Sequence, residues 1–406
     1  MRVLSLILAF TSAFAFSCGG DSTEDPEAAR AMVVESFNRF GFNIFREEIK
    51  TSEKENPFIS PVSISFALAM TAGGSSGETE DAMYSALELA DVKESDVRIG
   101  SRELYRELTS ENEKLTLALA NSIWLRKGIE FNDNFIESTE EYFFADGYPI
   151  TTPKEINSWV EKNTEGRIKR IINSISPDDI AFLINAVYFK GIWQKEFDPD
   201  KTEVKNFHPD GKETVKVDMM RRKGKYRYLK ADSFEAVSIP YGEGEMSACF
   251  FLPNRNYNLS QFNGSINFEG WDSLSAGFSE REGTVELPRI RIEYKSVLNS
   301  SLKSLGMGIA FSPADADFSG MCQIEGENVF ISEVLHKTFL KINEEGTEAA
   351  AVTSVRMKAT SVSMDKPQPF HLVFDRPFFM VIKDEGSGAI LFMGNITDPP
   401  AAGSVE

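Results

Sequence analysis

Between Asn343 and Met364 the chain reads N-E-E-G-T-E-A-A-A-V-T-S-V-R-M-K-A-T-S-V-S-M. Separated by parity, Thr347, Ala349, Ala351, Thr353, Val355 and Met357 fall on one side, and Glu348, Ala350, Val352, Ser354, Arg356 and Lys358 on the other. Strands alternate faces with a period of two. The first set is small or apolar and suits a core; the second carries every charge from Thr347 to Lys358 and suits water. Yet the Ala run favours helix, and Gly346 at its mouth permits backbone angles that other residues avoid. The pattern therefore gives this stretch more than one home.

The rest of the chain divides into elements by the same reasoning. Val33, Phe37, Phe40, Ile44 and Phe45 recur at helical spacing, so Pro26 to Glu48 is expected to be a surface helix with one buried stripe. A short buried run, Asn56 to Ser63, leads into a helix from Ser63 to Thr71. Helices are also expected at Thr79 to Leu89, with Thr79 as cap, at Phe131 to Tyr142 and at Pro153 to Thr164. Leu115 to Leu125 alternates as a buried strand. Ile180 to Phe189 is apolar on both parities, which suits a central strand. Antiparallel strands are expected in Val204 to Met219 and Tyr226 to Leu252, with Arg221 to Lys225 as a solvated hairpin tip. Thr284 to Tyr294 reads as a strand pair bent at Leu287-Pro288-Arg289. Val329 to Ile342, Asp375 to Ile382 and Ile390 to Gly394 complete the set.

With 406 residues and 42% hydrophobic positions the chain can build a large core, and no Pro/Gly/Ser-rich linker divides it after Pro26. A net charge of -19 argues against a nucleic-acid footprint. Arg221-Arg222-Lys223-Gly224-Lys225 is the densest basic cluster, where a glycosaminoglycan or DNA site competes with the solvated tip. At the start, Arg2 precedes an apolar run from Val3 to Phe16 too short to span a bilayer. Together with Ala15-Phe16-Ser17-Cys18 this resembles a bacterial lipoprotein signal, with bulky Phe16 as a departure from the pattern. The expected division is a signal at 1–17, a flexible acidic tether at 18–27, one domain at 28–399 and a tail at 400–406. Cys18 would carry the lipid and provide the only membrane attachment; plain secretion is the alternative. Cys249 and Cys322 are too few for a disulfide framework, and a buried thiol is expected at Cys249.

Hydrolytic and metal chemistry find little support. Gly73-Gly74-Ser75-Ser76-Gly77 fits G-x-S-x-G, but a nucleophile elbow needs a strand before it, and here a helix precedes. Of three histidines, His208 and His371 lack a convincing nucleophile. No H-x-x-x-H or C-x-x-C spacing offers a zinc set. No cofactor is expected.

The run Glu344-Glu345-Gly346-Thr347-Glu348-Ala349-Ala350-Ala351 resembles the hinge of the serpins, the serine protease inhibitor family, and the resemblance extends from Ala28 to Pro399. It implies an α+β fold of three β-sheets with about eight or nine helices and an exposed reactive loop. It also implies a monomer that is not an enzyme. A target protease cuts the loop, and the hinge side then inserts as a new strand, distorting the acylated protease. Insertion demands small inward residues and no Pro; the first Pro after the hinge is Pro367. Ser60, Ser63, Asn185 and His336 match the family's shutter, a set easily misread as a hydrolase triad. Trp193 and Arg289 match its breach, with Arg289 paired to Glu344. If exposed, that pair is worth under about 1 kcal/mol. Counting sixteen positions from Glu344 gives a reactive bond between Thr360 and Ser361. Glu345 is a competing anchor, set aside because the family glycine follows two residues after the glutamate. Thr360 suits elastase-like or subtilisin-like pockets or broad cysteine proteases. Arg356 and Lys358 offer trypsin-like enzymes an alternative cut. The segment from Ser361 to Arg376 is longer than in many animal serpins. A serpin-fold binding or carrier protein that never inserts its loop is the competing reading.

Overall fold

The computed structural model describes residues 25–51, 56–324, 328–347 and 368–404. Helix α1 (Pro26–Thr51) leads through β1 (Phe58–Ile59) into α2 (Pro61–Ala72), α3 (Gly77–Ala86) and α4 (Glu94–Leu108). Then come β2 (Leu115–Arg126), α5 (Asp133–Phe143), β3 (Asp146–Ile150), α6 (Pro153–Asn163) and β4 (Ala181–Ile192). Strands β5 (Glu203–Phe207), β6 (Val215–Lys230), β7 (Phe234–Tyr241) and β8 (Met246–Pro253) precede α7 (Leu259–Ser265) and α8 (Phe268–Ala276). The chain continues with β9 (Ser279–Pro288), β10 (Ile290–Val297), α9 (Asn299–Ser304), β11 (Ile331–Ile342) and β12 (Gly346–Thr347). It closes with β13 (Phe370–Val373), β14 (Phe378–Asp384) and β15 (Ile390–Ile396).

A six-stranded sheet in the order β10-β11-β12-β4-β2-β3 carries the site. Its centre is the parallel pair β11 and β4, in a register that sets His336 opposite Asn185. The continuous apolar run of β4 is explained by burial on both faces. On one side Leu183, Val187 and Phe189 join the main core with Ile64, Leu68 and Phe392 of α2 and β15. On the other, Ile184 and Tyr188 pack under Ile156 and Val160 of α6 and the segment holding Ile168, Ile171 and Ile172. Each such side chain contributes about 1.5–3 kcal/mol when fully buried. Helix α2 is buried along its whole length and starts at Pro61, where a missing N–H costs nothing.

The remaining strands form one network, β1-β15-β14-β8-β7-β6-β9-β13, with β5 on β6. The second and third expected sheets are continuous because β6 serves both. Its residues 215–219 pair with β5, 219–228 with β9 and 227–230 with β7.

Several local expectations change. Arg221 to Lys225 is the middle of β6, not a hairpin tip. Arg221, Lys223, Lys225 and Arg227 stand opposite Glu286, Thr284, Glu282 and Glu280 of β9. Arg222 turns to the other face, its guanidinium over Phe197 and Tyr226. The cluster is thus matched mostly by acids rather than free for a polyanion. The two halves of Thr284 to Tyr294 do not pair with each other; β9 and β10 belong to different sheets. Thr79 lies inside α3, whose N-cap position is Ser76; its hydroxyl instead accepts the Asp317 N–H at 3.0 Å. Gly73 to Gly77 is the expected turn between two helices. Cys249 and Cys322 are buried free thiols, and burial pushes the pKa of both up. Among the described residues no helix is long and apolar enough to cross a membrane.

Candidate functional site: a buried polar cluster and a clamped hinge

On β4, Asn185 interrupts the apolar face of Leu183 and Val187, and on β2 Asn121 interrupts that of Leu119 and Ile123. The fold brings these amides together. His336 Nε2 accepts the Ser60 N–H at 3.2 Å, which leaves Nδ1–H to donate to Asn185 Oδ1. Asn185 Nδ2 donates to both Ser63 Oγ and Asn121 Oδ1. Thr338 Oγ1 donates to Phe58 O at 2.8 Å, tying β11 to the same corner. Ser60, Ser63, Asn185 and His336 are therefore assembled as expected, and Asn121 is a member that sequence reasoning missed. Its signal was available, since a lone amide on an apolar strand face must find partners.

This cluster is not a hydrolase triad. Ser60 Oγ has no partner among the described residues, and the imidazole is engaged by a backbone N–H instead. Asn185, His336, Ser60 and Ser63 are all inaccessible to solvent. Nucleophilic catalysis needs a nucleophile bonded to its base and reachable by substrate.

Burial pushes the His336 imidazole down to about 3. The unfolded chain therefore binds the proton first, so this contribution is complete above about pH 6.5 and declines as pH falls toward 3. Below pH 6.5 the loss approaches about 1.4 kcal/mol per pH unit. Urea unfolding between pH 7 and pH 5 is expected to show this slope, and His336→Gln to remove most of it. Parallel profiles for the two proteins would show that His336 is not neutralised by its site.

The second half of the site lies at the upper end of β11 and β4. There the chain turns after Ile342, and β12 is seated between the two strands. Thr347 pairs with Ile342 on one side and Gly191 on the other, antiparallel to both. Asn343 Oδ1 accepts the N–H groups of Glu345 and Gly346 at 3.2 Å each, and Asn343 N–H donates to Gly346 O at 2.8 Å. Gly346 has φ 148°, and a Cβ there would stand 2.1 Å from Gly191 O. No other residue fits without moving β4. Thr347 is fully buried, with Tyr241 Oη 2.8 Å from its hydroxyl. Trp193 stacks on Tyr241 at 4.1 Å, donates Nε1–H to Asn343 O at 3.1 Å, and gives its backbone N–H to Glu345 O at 2.9 Å.

Glu344, rather than Glu345, is the residue held. Arg289 Nε lies 3.1 and 3.0 Å from its two carboxylate oxygens, and Arg289 Nη2 is 3.0 Å from Oε1. Thr202 Oγ1 also donates to Oε1. The condition of exposure is not met: the Glu344 side chain is 6% exposed and that of Arg289 25%. Removing one partner of a buried pair costs about 3–5 kcal/mol, and the partial exposure of Arg289 places this pair near the lower end. Asn343, Tyr241, Thr202 and Asp218 were not foreseen, because contacts made by turns or between strands distant in sequence carry no periodic signal. Glu348, Ala349, Ala350, Ala351, Arg356, Lys358, Thr360, Ser361 and Cys18 lie outside the described residues.

Residues 35–399 match the family model described as serpin, serine protease inhibitor. The chain belongs to the serpin family. It is 33% identical to an uncharacterized serpin-like protein of Thermococcus kodakarensis, over 92% of this chain and 87% of that one. Alpha-1-antiproteinase S of Cavia porcellus is 30% identical, over 97% of each. Among solved structures, the native state of tengpin, a thermophilic serpin, superimposes with a TM-score of 0.84 at 29% identity, over 94% of this chain and 96% of that one. Human thyroxine-binding globulin does so with 0.83 at 27% identity, over 91% and 99%. The serpin fold expected from the sequence is thus established, and the buried cluster and the clamped segment from Asn343 to Thr347 lie at two levels of its central sheet.

Proposed function

We propose that this serpin is a suicide-substrate inhibitor of serine endopeptidases, with cysteine endopeptidases as further targets. The carrying observation is the seating of Gly346 and Thr347 between β11 and β4. Below them the two strands close directly on each other, from Phe339 opposite Tyr188 down to Ile331 opposite Ala181. The sheet has begun to admit the loop and can admit more if this pairing opens. Ser60, Ser63, Asn185 and His336 act in this reading as the shutter, and Trp193 and Arg289 as the breach, Trp193 holding Asn343 and Glu345 and Arg289 holding Glu344.

Register sets the rest. Continuing β12 along the same antiparallel path, residue 353 arrives between Asn185 and His336, six steps from Gly191 and Ile342 respectively. Residues 357 and 358 then arrive level with Ala181 and Ile331, where β4 and β11 begin. A cut between Thr360 and Ser361 would leave the acylated protease just past the far end. The 12-residue strand spans roughly 40 Å. Cutting at Arg356 or Lys358 would stop the protease short of that end, so trypsin-like enzymes would escape more often than elastase-like or subtilisin-like ones.

Mixing the protein with an elastase-like protease should give a covalent complex that survives denaturant, and a small C-terminal fragment beginning at Ser361. Fragments beginning at Ala359 in every stable complex would move the specificity residue to Lys358. The likeness to thyroxine-binding globulin supports a second reading, a binding protein that does not insert its loop; cleavage without any complex would favour it. The signal pattern supports an exported protein anchored through lipid on Cys18. Membrane fractionation of Cys18→Ala tests this, with release from the membrane expected and an unchanged distribution against it.

A further inference from the structure

The Arg289 fork that holds Glu344 does not stand alone. Arg289 Nη1 lies 3.4 Å from Asp218 Oδ2, and Arg289 N–H donates to Asp218 O at 2.9 Å. Asp218 sits on β6 with its side chain 15% exposed. The same Oδ2 accepts the N–H of Gly403 at 2.9 Å. One residue earlier, Ala402 N–H donates to Lys216 O at 2.8 Å, so the segment after β15 docks along β6. The turn at this point is specific. Gly403 has φ 74°, the left-handed region that favours glycine. Ser404 closes the turn by donating its N–H to Ala401 O at 3.1 Å. That conformation aims the Gly403 N–H at the carboxylate.

A continuous path therefore runs from Gly403 through Asp218 and Arg289 to Glu344, three residues before the buried Thr347. We propose that the segment 401–404 and Asp218 form a positioning device for the reactive-loop hinge. The N–H of Gly403 fixes the Asp218 rotamer, Asp218 orients the guanidinium, and the oriented fork holds Glu344 where Gly346 and Thr347 can enter the sheet. A charge-assisted bond from a backbone N–H to a carboxylate is well suited to this role, since it is directional and takes up one oxygen. The proposal rests on the hinge reading for its effect on inhibition, but its structural core does not.

The test is hydrogen exchange in the full chain, compared with Gly403→Pro, which removes the donor, with deletion of residues 402–406, and with Arg289→Ala. The reporting amides are Trp193, Phe197 and Asn343, whose N–H groups are bonded to Glu345, Glu344 and Gly346. Both changes at Gly403 should raise exchange at these amides at least tenfold, with β14 and β15 unchanged. In an Arg289→Ala background the deletion should add nothing. Unchanged exchange, a uniform rise across the molecule, or full additivity with Arg289→Ala would overturn the proposal. Where the wild-type protein traps a protease, Gly403→Pro should also raise the stoichiometry of inhibition several-fold while leaving the acylation rate unchanged; an equal loss in both would point to general damage. Should the wild type trap none, the inhibitor reading fails while the exchange result still decides the hinge coupling.

Discussion

Cleavage between Thr360 and Ser361 should raise the thermal midpoint by about 10 °C or more, the reverse of what nicking a loop ordinarily does. The parity of residues 347–357 is that of a strand, and its first member is already seated between β11 and β4. Full insertion gives each added residue partners on both sides and loses only the direct β11 to β4 pairing. The net is about ten additional hydrogen bonds at about 1 kcal/mol each. At a little over 1 °C per kcal/mol for a domain of this size, the hydrogen bonds alone supply about 10 °C, and burial of the inward Val355 and Met357 adds to it. Calorimetry before and after a single cut measures it. An unchanged or lowered midpoint would remove the basis for insertion and promote the binding-protein reading.

Thr347→Arg is expected to turn the inhibitor into a substrate. Thr347 is fully buried against Tyr241 and bonded to its hydroxyl. An arginine there would be buried without a partner, at a cost of several kcal/mol, so β12 should leave the sheet and insertion should stall at its first step. Each 1.4 kcal/mol is a factor of about ten in the partition between trapping and release. The loop itself stays available, so acylation should proceed at its usual rate while the stoichiometry of inhibition rises by about tenfold or more. Wild-type stoichiometry in Thr347→Arg would show that the inward register begins elsewhere.

How much of this was legible in the sequence depends on the kind of signal. The two-sided burial of β4 followed from a run apolar on both parities, and the family from the eight-residue match at Glu344 to Ala351. His336 and Asn185 were found by resemblance, whereas Asn121, their equal in the cluster, was passed over inside a strand already assigned to the core. The basic run at Arg221 to Lys225 was misplaced because Gly224 imitates a turn; in the structure it lies mid-strand opposite Gly283, where Phe370 packs close. Helix α4 was missed although Val97, Leu104 and Leu108 are buried along it, since charged residues separate them. The surroundings of Glu344 carried no comparable signal. Thr202 and Arg289, which bond its carboxylate, are far apart in sequence and meet only in three dimensions.

Entry of the loop as a strand of the six-stranded sheet is tested most directly by the structure of the protein after a single cut between Thr360 and Ser361. In that structure β11 and β4 should be parted along their length, with residues 348–357 between them and residue 353 separating His336 from Asn185. A cleaved protein in which His336 still faces Asn185 across an unbroken β11 and β4 pair would contradict it.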